Sequence, residues 1–519
     1  MSTFVYTFLL ILISNTDAAK ILAYFPFPSL SHQLAFRPLI HELARRGHEV
    51  VTITPDPAFP KGEAPANLTE IDVHNASYAL WRNVLTTKQI PFGNLREWIN
   101  QPHRRDLYVK FLEMQFSVEE VKAAIFDKSN KYDLLILEAC VFGILGLSHL
   151  HKVPVIQISS FGPQQFNLET VGAVFHLFRQ PLPIQNRVMP VSLWDKMYEL
   201  LIYYDQSIVY DYIETSYKAM LKESFGENCP ELRQLRKNVD MLFLNVHPLW
   251  ELNRPVPPNV INIGGLHQIS QKEIPQDLKS YLDASKNGVV YVSFGTNVSP
   301  SLFSAEKIQT LVNVFSKLPY DVLWKWNLDE LPGRTANIKI SKWFPQSDLL
   351  RHPNIKLFIT QAGLQSTDEA ITAGVPVIGI PLIGDQWYNA ELYEYHKIGL
   401  RVDFQTITED ILLNAITTVI NDKSYRTNIV KLRAIMQDQV QSPLERAVWW
   451  TEYVLRHGGA KHLRSPLANL TWTEYLELDL VLILITILIS SILFSFFVIY
   501  SLYKVVVYLL STNSKVKTS

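Results

Sequence analysis

One histidine, His32, occupies a position where a side chain could act on a bound molecule. It lies in the segment PSLSHQLAFRPLIHELARRGHEVVTIT, between the apolar run 21–27 and a second apolar run, 50–54. The residues between the runs have the pattern of a helix that ends at Gly47, so His32 would lie where a strand gives way to a helix. An imidazole there could accept a proton from a hydroxyl group. A single loop histidine could equally serve on the surface or as a cap.

A second stretch, Trp343–Gln386, combines an aromatic residue, a glycine-containing turn and several polar acceptors. The turn TQAGLQST leads into a helix, whose first backbone N–H groups suit an anion. Glu369 lies one helical turn further on, and Asp385 and Gln386 follow an apolar strand. A sugar-bearing nucleoside diphosphate requires an aromatic ring on which its base can stack, amides for its phosphates and acceptors for its hydroxyls.

The elements that must position these residues alternate between strand-like and helix-like segments. Continuous apolar runs of the kind buried on both faces of a sheet are ILAYFPF, EVVTIT, YDLLILEA and VPVIQISS in the first half, and GVVYVSFG, DVLWKW, IKLFITQ and VPVIGIPL in the second. Such alternation predicts parallel sheets with right-handed crossovers. The stretch 166–241 is predicted to be mostly helix and loop, and the proline-rich segment 247–260 separates the two halves.

The fold class is therefore α/β, with two doubly wound halves that face a cleft. Sheets of this kind bind ligands at the carboxyl ends of their strands. We predict an N-terminal domain over 19–274, a C-terminal domain over 275–442 and, over 443–479, helices that pack back toward the N-terminal domain.

Bulk composition excludes one class of function and leaves one question open. The formal net charge of -1 over 519 residues gives no excess of positive charge for a nucleic-acid partner. The chain has two cysteines, Cys140 and Cys229. They cannot form a disulfide framework, although a single bond between them is possible.

Both ends of the chain carry targeting features. Residues 1–18 have the pattern of a signal peptide. Residues 480–503 hold no charge and are long enough to span a bilayer. Acidic residues precede this helix and lysines follow it, which predicts a luminal body and a cytosolic tail over 504–519. Two lysines near the end resemble an endoplasmic-reticulum retrieval signal, so we predict a single-pass type I protein of that membrane.

Four N-x-Ser/Thr sequons are candidates for glycosylation in the lumen. We predict glycans at Asn67, Asn75 and Asn469. Asn297 lies in a loop expected to close over the ligand, so we predict no glycan there.

The segment from Trp343 to Gln386, which begins WFPQ and ends DQ, resembles the signature of the UDP-glycosyltransferases, a family that includes the animal UDP-glucuronosyltransferases. The resemblance extends to the SH of the opening segment, to VSFGT, RPVPPNVINIGG and WTEYVLRHGGAKHLR, and to the single membrane helix. It covers most of the chain. The residues of TQAGLQSTDEAITAGVP and GDQWYN resemble those of the insect branch of the family more than those of the vertebrate branch.

This resemblance implies the two-domain GT-B fold, with the UDP-sugar held by the C-terminal half. Trp343 would stack on the uracil and Gln346 would hold the nucleoside, while Glu369 would bind the ribose. The remaining donor contacts that the resemblance implies are with the diphosphate (Gly295, Thr296, Gln361, Gly363, Gln365 and Ser366) and with the sugar hydroxyls (Asp385 and Gln386).

The resemblance also implies that His32 is the general base that deprotonates the acceptor. The family orients this histidine with an aspartate at a later strand end, where the present chain has Glu138. Asp133 stands at the start of that strand and so at the wrong edge of the sheet. Glu138 is therefore predicted to be the partner of His32.

The chain departs from the family where a His-Gly-Gly-like triplet is common and Gln361, Ala362 and Gly363 stand instead. An amide can still donate to phosphate, but Ala362 has less backbone freedom than glycine. No Asp-x-Asp pair occurs in the sequence, so we expect no essential metal and no cofactor besides the UDP-sugar co-substrate.

The expected function is inverting transfer of a hexose, with glucose favoured, from a UDP-sugar to a small lipophilic acceptor that bears a hydroxyl. The Tyr-, Leu- and Phe-rich region before the linker is expected to shape the acceptor pocket. Two alternatives stay open: a UDP-glucuronosyltransferase, and a non-catalytic binding protein for lipophilic molecules on the same fold. The acceptor itself and a homo-oligomeric state are not determined by the sequence.

Overall fold

The computed structural model describes residues 18–87, 91–173, 176–188, 192–268 and 270–516. The predicted signal peptide lies outside the described residues, except for its last residue. Two parallel sheets dominate the described part of the chain, as the alternation of strands and helices predicts.

The first sheet has seven strands in the order β3-β2-β1-β4-β5-β6-β7, all parallel. Its strands are β1 (Lys20–Tyr24), β2 (Glu49–Thr54), β3 (Leu68–Asp72), β4 (Leu134–Glu138), β5 (Val155–Ser159), β6 (Val239–Leu244) and β7 (Val260–Asn262). All five residues of β4 are buried, which explains why its sequence is an uninterrupted apolar run that ends in a single acid.

The second sheet has six parallel strands in the order β10-β9-β8-β11-β12-β13. Its strands are β8 (Val289–Ser293), β9 (Asp321–Lys325), β10 (Ile338–Ser341), β11 (Ile355–Thr360), β12 (Val377–Gly379) and β13 (Gly399–Arg401). The sheets lie on either side of the predicted boundary at 274/275, but the exact domain limits stay a prediction.

Helices cover the faces of both sheets. Those of the N-terminal half are α1 (Leu30–Arg45), α2 (His74–Thr87), α3 (Leu95–Ile99), α4 (Pro102–Phe116), α5 (Glu119–Phe126), α6 (Gly146–His151), α7 (Gln165–Val171), α8 (Leu193–Phe225) and α9 (Leu232–Leu235). The later helices are α10 (Gln276–Ala284), α11 (Ala305–Ser316), α12 (Gln346–Leu350), α13 (Leu364–Ala373), α14 (Gln386–Tyr395), α15 (Glu409–Asn421), α16 (Lys423–Gln437), α17 (Pro443–His457), α18 (Trp472–Tyr475) and α19 (Leu478–Val516).

Five strands are not among the sequence-based predictions: β3, β6, β7, β10 and β13. Of these, β3 and β10 carry polar residues, and β7 and β13 have three residues each. These four lie at or next to an edge of their sheet, where one-sided burial leaves only a weak apolar pattern. The fifth, β6, begins inside the stretch that was predicted to be mostly helix and loop.

Helix α17, which lies within the predicted segment 443–479, returns to the N-terminal half. It packs against α1, and Ala447 and Val448 join the same buried cluster as Ile21 of β1. The Arg46 guanidinium also donates to the Glu452 carboxylate at 3.0 Å.

Helix α19 contains a span, Leu478–Ser511, that is long and apolar enough to cross a membrane and has no buried part. It includes the predicted membrane segment 480–503 and extends beyond it at both ends. Of the sequon asparagines, Asn67 and Asn75 are exposed and Asn469 is half-buried. Their glycosylation stays a prediction.

Candidate active site

The predicted partners His32 and Glu138 meet at the carboxyl edge of the first sheet. Strand β1 pairs with β4, so the chain that leaves β1 and enters α1 passes beside the last residue of β4. His32 lies in the first turn of α1, and its Nδ1 is 2.6 Å from the Glu138 Oε1. The second carboxylate oxygen accepts the backbone N–H of Phe27 at 3.0 Å. Asp133 lies at the other end of β4, where it accepts the Lys20 N–H.

The surroundings hold the imidazole in one orientation. Phe27 stacks on the His32 ring at a centroid distance of 4.9 Å, and Phe161 contacts it edge-on at 5.7 Å. Only 12% of the His32 side chain is exposed, and Glu138 is fully buried. Since a carboxylate accepts hydrogen bonds, Nδ1 carries the proton of this contact, and in a neutral imidazole Nε2 then has the lone pair.

A third side chain, Cys140, completes this cluster. Its thiol donates to the Glu138 Oε1 at 3.4 Å. Burial, together with the nearby carboxylate, raises the pKa of the thiol well above its usual value. Cys140 and Cys229, which both lie in the described part of the chain, are free thiols. The disulfide that the sequence left open is therefore not formed.

Trp343 stands exposed at the other side of the cleft. More than half of its side chain, 56%, is accessible. The ammonium of Lys325 lies 4.3 Å from its ring centroid, and burial lowers the pKa of this lysine to about 8. The ring thus offers an open face of the kind on which a base stacks.

Gln346 and Glu369 form one hydrogen-bonded unit behind this ring. The Gln346 amide donates to the Glu369 carboxylate at 2.7 Å and to the Ser366 hydroxyl at 2.8 Å. The Tyr291 hydroxyl donates in turn to the Gln346 carbonyl at 3.1 Å. Burial raises the pKa of Glu369 to about 6, although the Gln346 hydrogen bond opposes the shift.

The turn 361–363 connects β11 to α13 and packs on the loop after β8. Ala362 has φ = 66°, in the left-handed region that favours glycine. Gly295 has φ = 77°, and a Cβ there would clash with the Gln361 amide. Gly363 is the N-cap of α13, so the first N–H groups of this helix lie at the turn, as an anion site requires.

Gln365 makes a contact that the sequence does not indicate. Its side-chain amide donates to the backbone carbonyl of Ser160, in the N-terminal half, at 2.8 Å. Asn297 likewise donates to the Ser29 hydroxyl at 2.9 Å. Both contacts join the two halves, and the second one engages the side-chain nitrogen that a glycan would need.

Asp385 is the N-cap of α14, and Gln386 is the first residue of this helix. The Gln386 carbonyl accepts the N–H groups of Leu382 and Ile383, at 2.9 Å each, so its NH2 group is the part that can reach a ligand. Burial raises the pKa of Asp385, whereas the Asn389 hydrogen bond and the charge of His32 oppose the rise. His32 and Asp385 line the same cavity, so the two halves bring these residues together.

Asn389, Tyr291 and Lys325 are structural neighbours of the site that sequence reasoning missed. The Asn389 amide donates to the Asp385 carboxylate and to the Ala362 carbonyl, at 2.9 Å each, and its own carbonyl accepts the Trp250 indole N–H at 2.8 Å. The segment GDQWYN contains Asn389 four residues after Asp385, a spacing that places both on one helix face.

One cavity of about 960 Å³ connects all these parts. The predicted donor residues that line it are Gly295, Thr296, Trp343, Gln346, Gln361, Gly363, Gln365, Ser366, Glu369, Asp385 and Gln386. His32 and Cys140 also line it, together with an aromatic wall from the N-terminal half. Glu138 lies behind His32 and is the one predicted catalytic or donor-binding residue outside the lining.

Comparisons with known proteins agree with this geometry. A family model described as "UDP-glucoronosyl and UDP-glucosyl transferase" matches residues 19–515. A protein of Spodoptera littoralis nuclear polyhedrosis virus named ecdysteroid UDP-glucosyltransferase is 38% identical over 91% of this chain and 95% of its own. The UDP-glycosyltransferase UGT5 of Dactylopius coccus is 33% identical over 93% and 92% of the two chains.

Solved structures show the same architecture at low identity. A UDP-glucose:anthocyanidin 3-O-glucosyltransferase in complex with UDP superposes with a TM-score of 0.58 at 16% identity, over 86% of this chain and all of its own. The glycotransferase of kitacinnamycin gives a TM-score of 0.55 at 19% identity, over 85% of this chain and 99% of its own. At such identities the likeness shows the fold alone, which is GT-B.

Proposed function

Since the chain belongs to the family of UDP-glucuronosyl and UDP-glucosyl transferases and is a UDP-glycosyltransferase, we propose that it transfers glucose from UDP-glucose to a hydroxyl group of a small lipophilic acceptor, with inversion at the anomeric carbon. The observation that carries the proposal is the His32–Glu138 pair. It lies across one cavity from Asp385 and from the donor residues of the C-terminal half. A base that is oriented by a carboxylate serves a transfer reaction, whereas a protein that only binds lipophilic molecules does not need one.

The reaction needs one proton transfer and one displacement. The His32 Nε2 takes the proton of the acceptor hydroxyl while the acceptor oxygen bonds to the anomeric carbon. The bond between that carbon and the diphosphate breaks, and UDP leaves with the electron pair. Glu138 stabilises the imidazolium that forms. Attack on the face opposite the leaving group inverts the anomeric carbon.

The C-terminal half would hold the donor by three groups of contacts. Trp343 offers its open face to the uracil, and the Gln346–Glu369 unit offers a carboxylate to the ribose hydroxyls. The first N–H groups of α13 and the Ser366 hydroxyl would meet the diphosphate and the charge that develops as UDP leaves. Since the Gln365 side chain already bonds to Ser160, we propose that its backbone serves the phosphates.

The acceptor side of the cavity is apolar and aromatic. The residues that form this wall are Phe27, Trp81, Trp98, Leu107, Tyr108, Phe161 and Ile184. A wall of this kind suits a polycyclic or phenolic alcohol. Relatives named ecdysteroid UDP-glucosyltransferases make an ecdysteroid the first polycyclic alcohol to test.

Glucuronate is the competing sugar, because it adds a carboxylate that needs a cation or several amides. Arg401, the last residue of β13, pairs with Glu391 of α14 at 2.8 Å. Arg37 lines the cavity, but its guanidinium donates to the backbone carbonyls of Asp56 and Pro57. Both guanidinium groups already have partners, so neither is free to bind the carboxylate of glucuronate, and this favours glucose.

The test compares UDP-glucose with UDP-glucuronate on one phenolic acceptor and on one ecdysteroid. We expect a higher kcat/KM with UDP-glucose for both acceptors. Higher kcat/KM with UDP-glucuronate would refute the sugar assignment and make Arg37→Ala the next variant to measure. Release of UDP without any glycoside would instead refute transfer to these acceptor classes.

A further inference from the structure

Three metal-ligating side chains converge beside the proposed base. The His32 Nδ1, the Cys140 Sγ and a carboxylate oxygen of Glu138 lie within 4.8 Å of one another. The Glu138 Oε1 lies 2.6 Å from the His32 Nδ1 and 3.4 Å from the Cys140 Sγ. No other trio of His, Cys, Asp and Glu side chains comes together in this way among the residues that the structure describes.

We propose that His32, Glu138 and Cys140 form an inhibitory binding site for a thiophilic divalent cation such as Zn2+ or Cd2+. Zinc bonds of about 2.3 Å to sulfur and about 2.0 Å to nitrogen and oxygen place tetrahedral ligand atoms roughly 3.3–3.6 Å apart. The Sγ–Oε1 separation already has this value. The Nδ1–Oε1 separation must widen by less than about 1 Å, which small shifts of the two side chains within their rotamers provide.

Charge balance favours a divalent ion at this place. The Glu138 carboxylate carries one negative charge, and the thiolate of Cys140 supplies a second when the thiol gives its proton to solvent. Two negative ligands and one imidazole neutralise a 2+ ion, so no net charge is left in a buried pocket. His32 and Cys140 both line the cavity. The ion can therefore enter from the cleft and keep a water or a substrate oxygen as its fourth ligand.

Binding at Nδ1 would stop the transfer reaction. For catalysis the ring proton sits on Nδ1, where it bonds to Glu138, and Nε2 has the free lone pair. A metal on Nδ1 binds the lone pair of Nδ1, which is available only when the proton has left that nitrogen, and the neutral ring then carries its proton on Nε2. The acceptor hydroxyl loses its base. This consequence rests on the function proposed above for His32, whereas the binding itself does not.

The experiment uses the full-length protein in detergent, titrated with Cd2+. Binding is followed by the ultraviolet charge-transfer band of a cadmium thiolate, and glucose transfer is measured on the same samples. We expect the band and the loss of transfer to rise together, and a chelator to reverse both. Cys229→Ala, which removes the chain's other thiol, should behave as the unaltered protein does.

Cys140→Ser and Cys140→Ala should not show the band. Their inhibition by Cd2+, measured for each variant relative to its own metal-free rate, should require at least about tenfold more Cd2+ than in the unaltered protein. Equal sensitivity in the unaltered protein and in Cys140→Ser would overturn the site, as would a band that depends on Cys229. A Cys140-dependent band with undiminished transfer would leave the binding site in place. It would overturn the inhibition and, with it, the role of His32 as the base.

Discussion

At the residue scale, the proposed chemistry depends on the 2.6 Å contact between His32 and Glu138. We expect His32→Ala to lower kcat/KM by ~10²–10⁴-fold, the usual contribution of a general base, with UDP binding almost unchanged because the donor residues lie in the other half.

Glu138→Ala should cause a large part of the same loss. The double variant should be scarcely worse than His32→Ala, since the two residues act as a unit. Steady-state kinetics and calorimetry with UDP measure these effects, and additive losses would contradict a shared function.

A second residue-scale prediction concerns pH and Glu369. Because burial raises the pKa of this carboxyl to about 6, it is already half protonated at a pH where an ordinary glutamate is charged. A charged acceptor for the ribose hydroxyls is therefore present above pH 6 and is lost as the pH falls through 6. The affinity for UDP-glucose, measured by calorimetry without acceptor, should decrease over this range.

Glu369→Gln removes the titrating group and should flatten this dependence at a weaker overall affinity. His32→Ala is the matched control, because it removes an ionisable side chain of the N-terminal half that lines the same cavity and should keep the pH dependence of the unaltered protein. If His32→Ala flattens the curve and Glu369→Gln does not, the assignment to Glu369 is wrong.

At the element scale, the connection between β11 and α13 is held in a conformation that its sequence does not favour. Ala362 has φ = 66°, where a Cβ costs about 1 kcal/mol. Ala362→Gly should therefore raise the free energy of unfolding of the C-terminal half by up to about 1 kcal/mol. The shift in the thermal-unfolding midpoint measures it.

Ala370→Gly, within α13 itself, is the control for this substitution. There the backbone is helical, so glycine should lower the free energy of unfolding by about 1 kcal/mol or more. Both variants replace alanine by glycine, but the expected changes in the free energy of unfolding have opposite signs. A lower midpoint for both would mean that the turn tolerates alanine without strain.

At the scale of the whole molecule, we propose that the body lies in the lumen of the endoplasmic reticulum, with the chain anchored by α19. In sealed microsomes, protease should then remove only residues after about Tyr503, because the predicted membrane-spanning part of α19, 480–503, and everything before it are protected. A glycosidase should shift the gel mobility through Asn67, Asn75 or Asn469, of which the first two are exposed. Degradation of the body without detergent would refute this orientation.

The sequence alone determined the features that depend on local pattern. Continuous apolar runs predicted eight of the thirteen strands in the described part of the chain, because a strand buried on both faces must be apolar throughout. The carboxyl-edge positions of His32 and Glu138, with Asp133 at the opposite edge, followed from the direction of a parallel strand. The spacing from Trp343 to Gln386 indicated the family, and the comparisons show it.

Only the tertiary structure decided what depends on distances between remote segments. It showed that the Gln365 amide bonds to Ser160 across the cleft, and that Asn389 connects Trp250, Asp385 and Ala362. It also brought Cys140 to the oxygen of Glu138 that His32 contacts. Side-chain direction and the approach of the two halves fix these contacts, and neither leaves a periodic signal in the sequence.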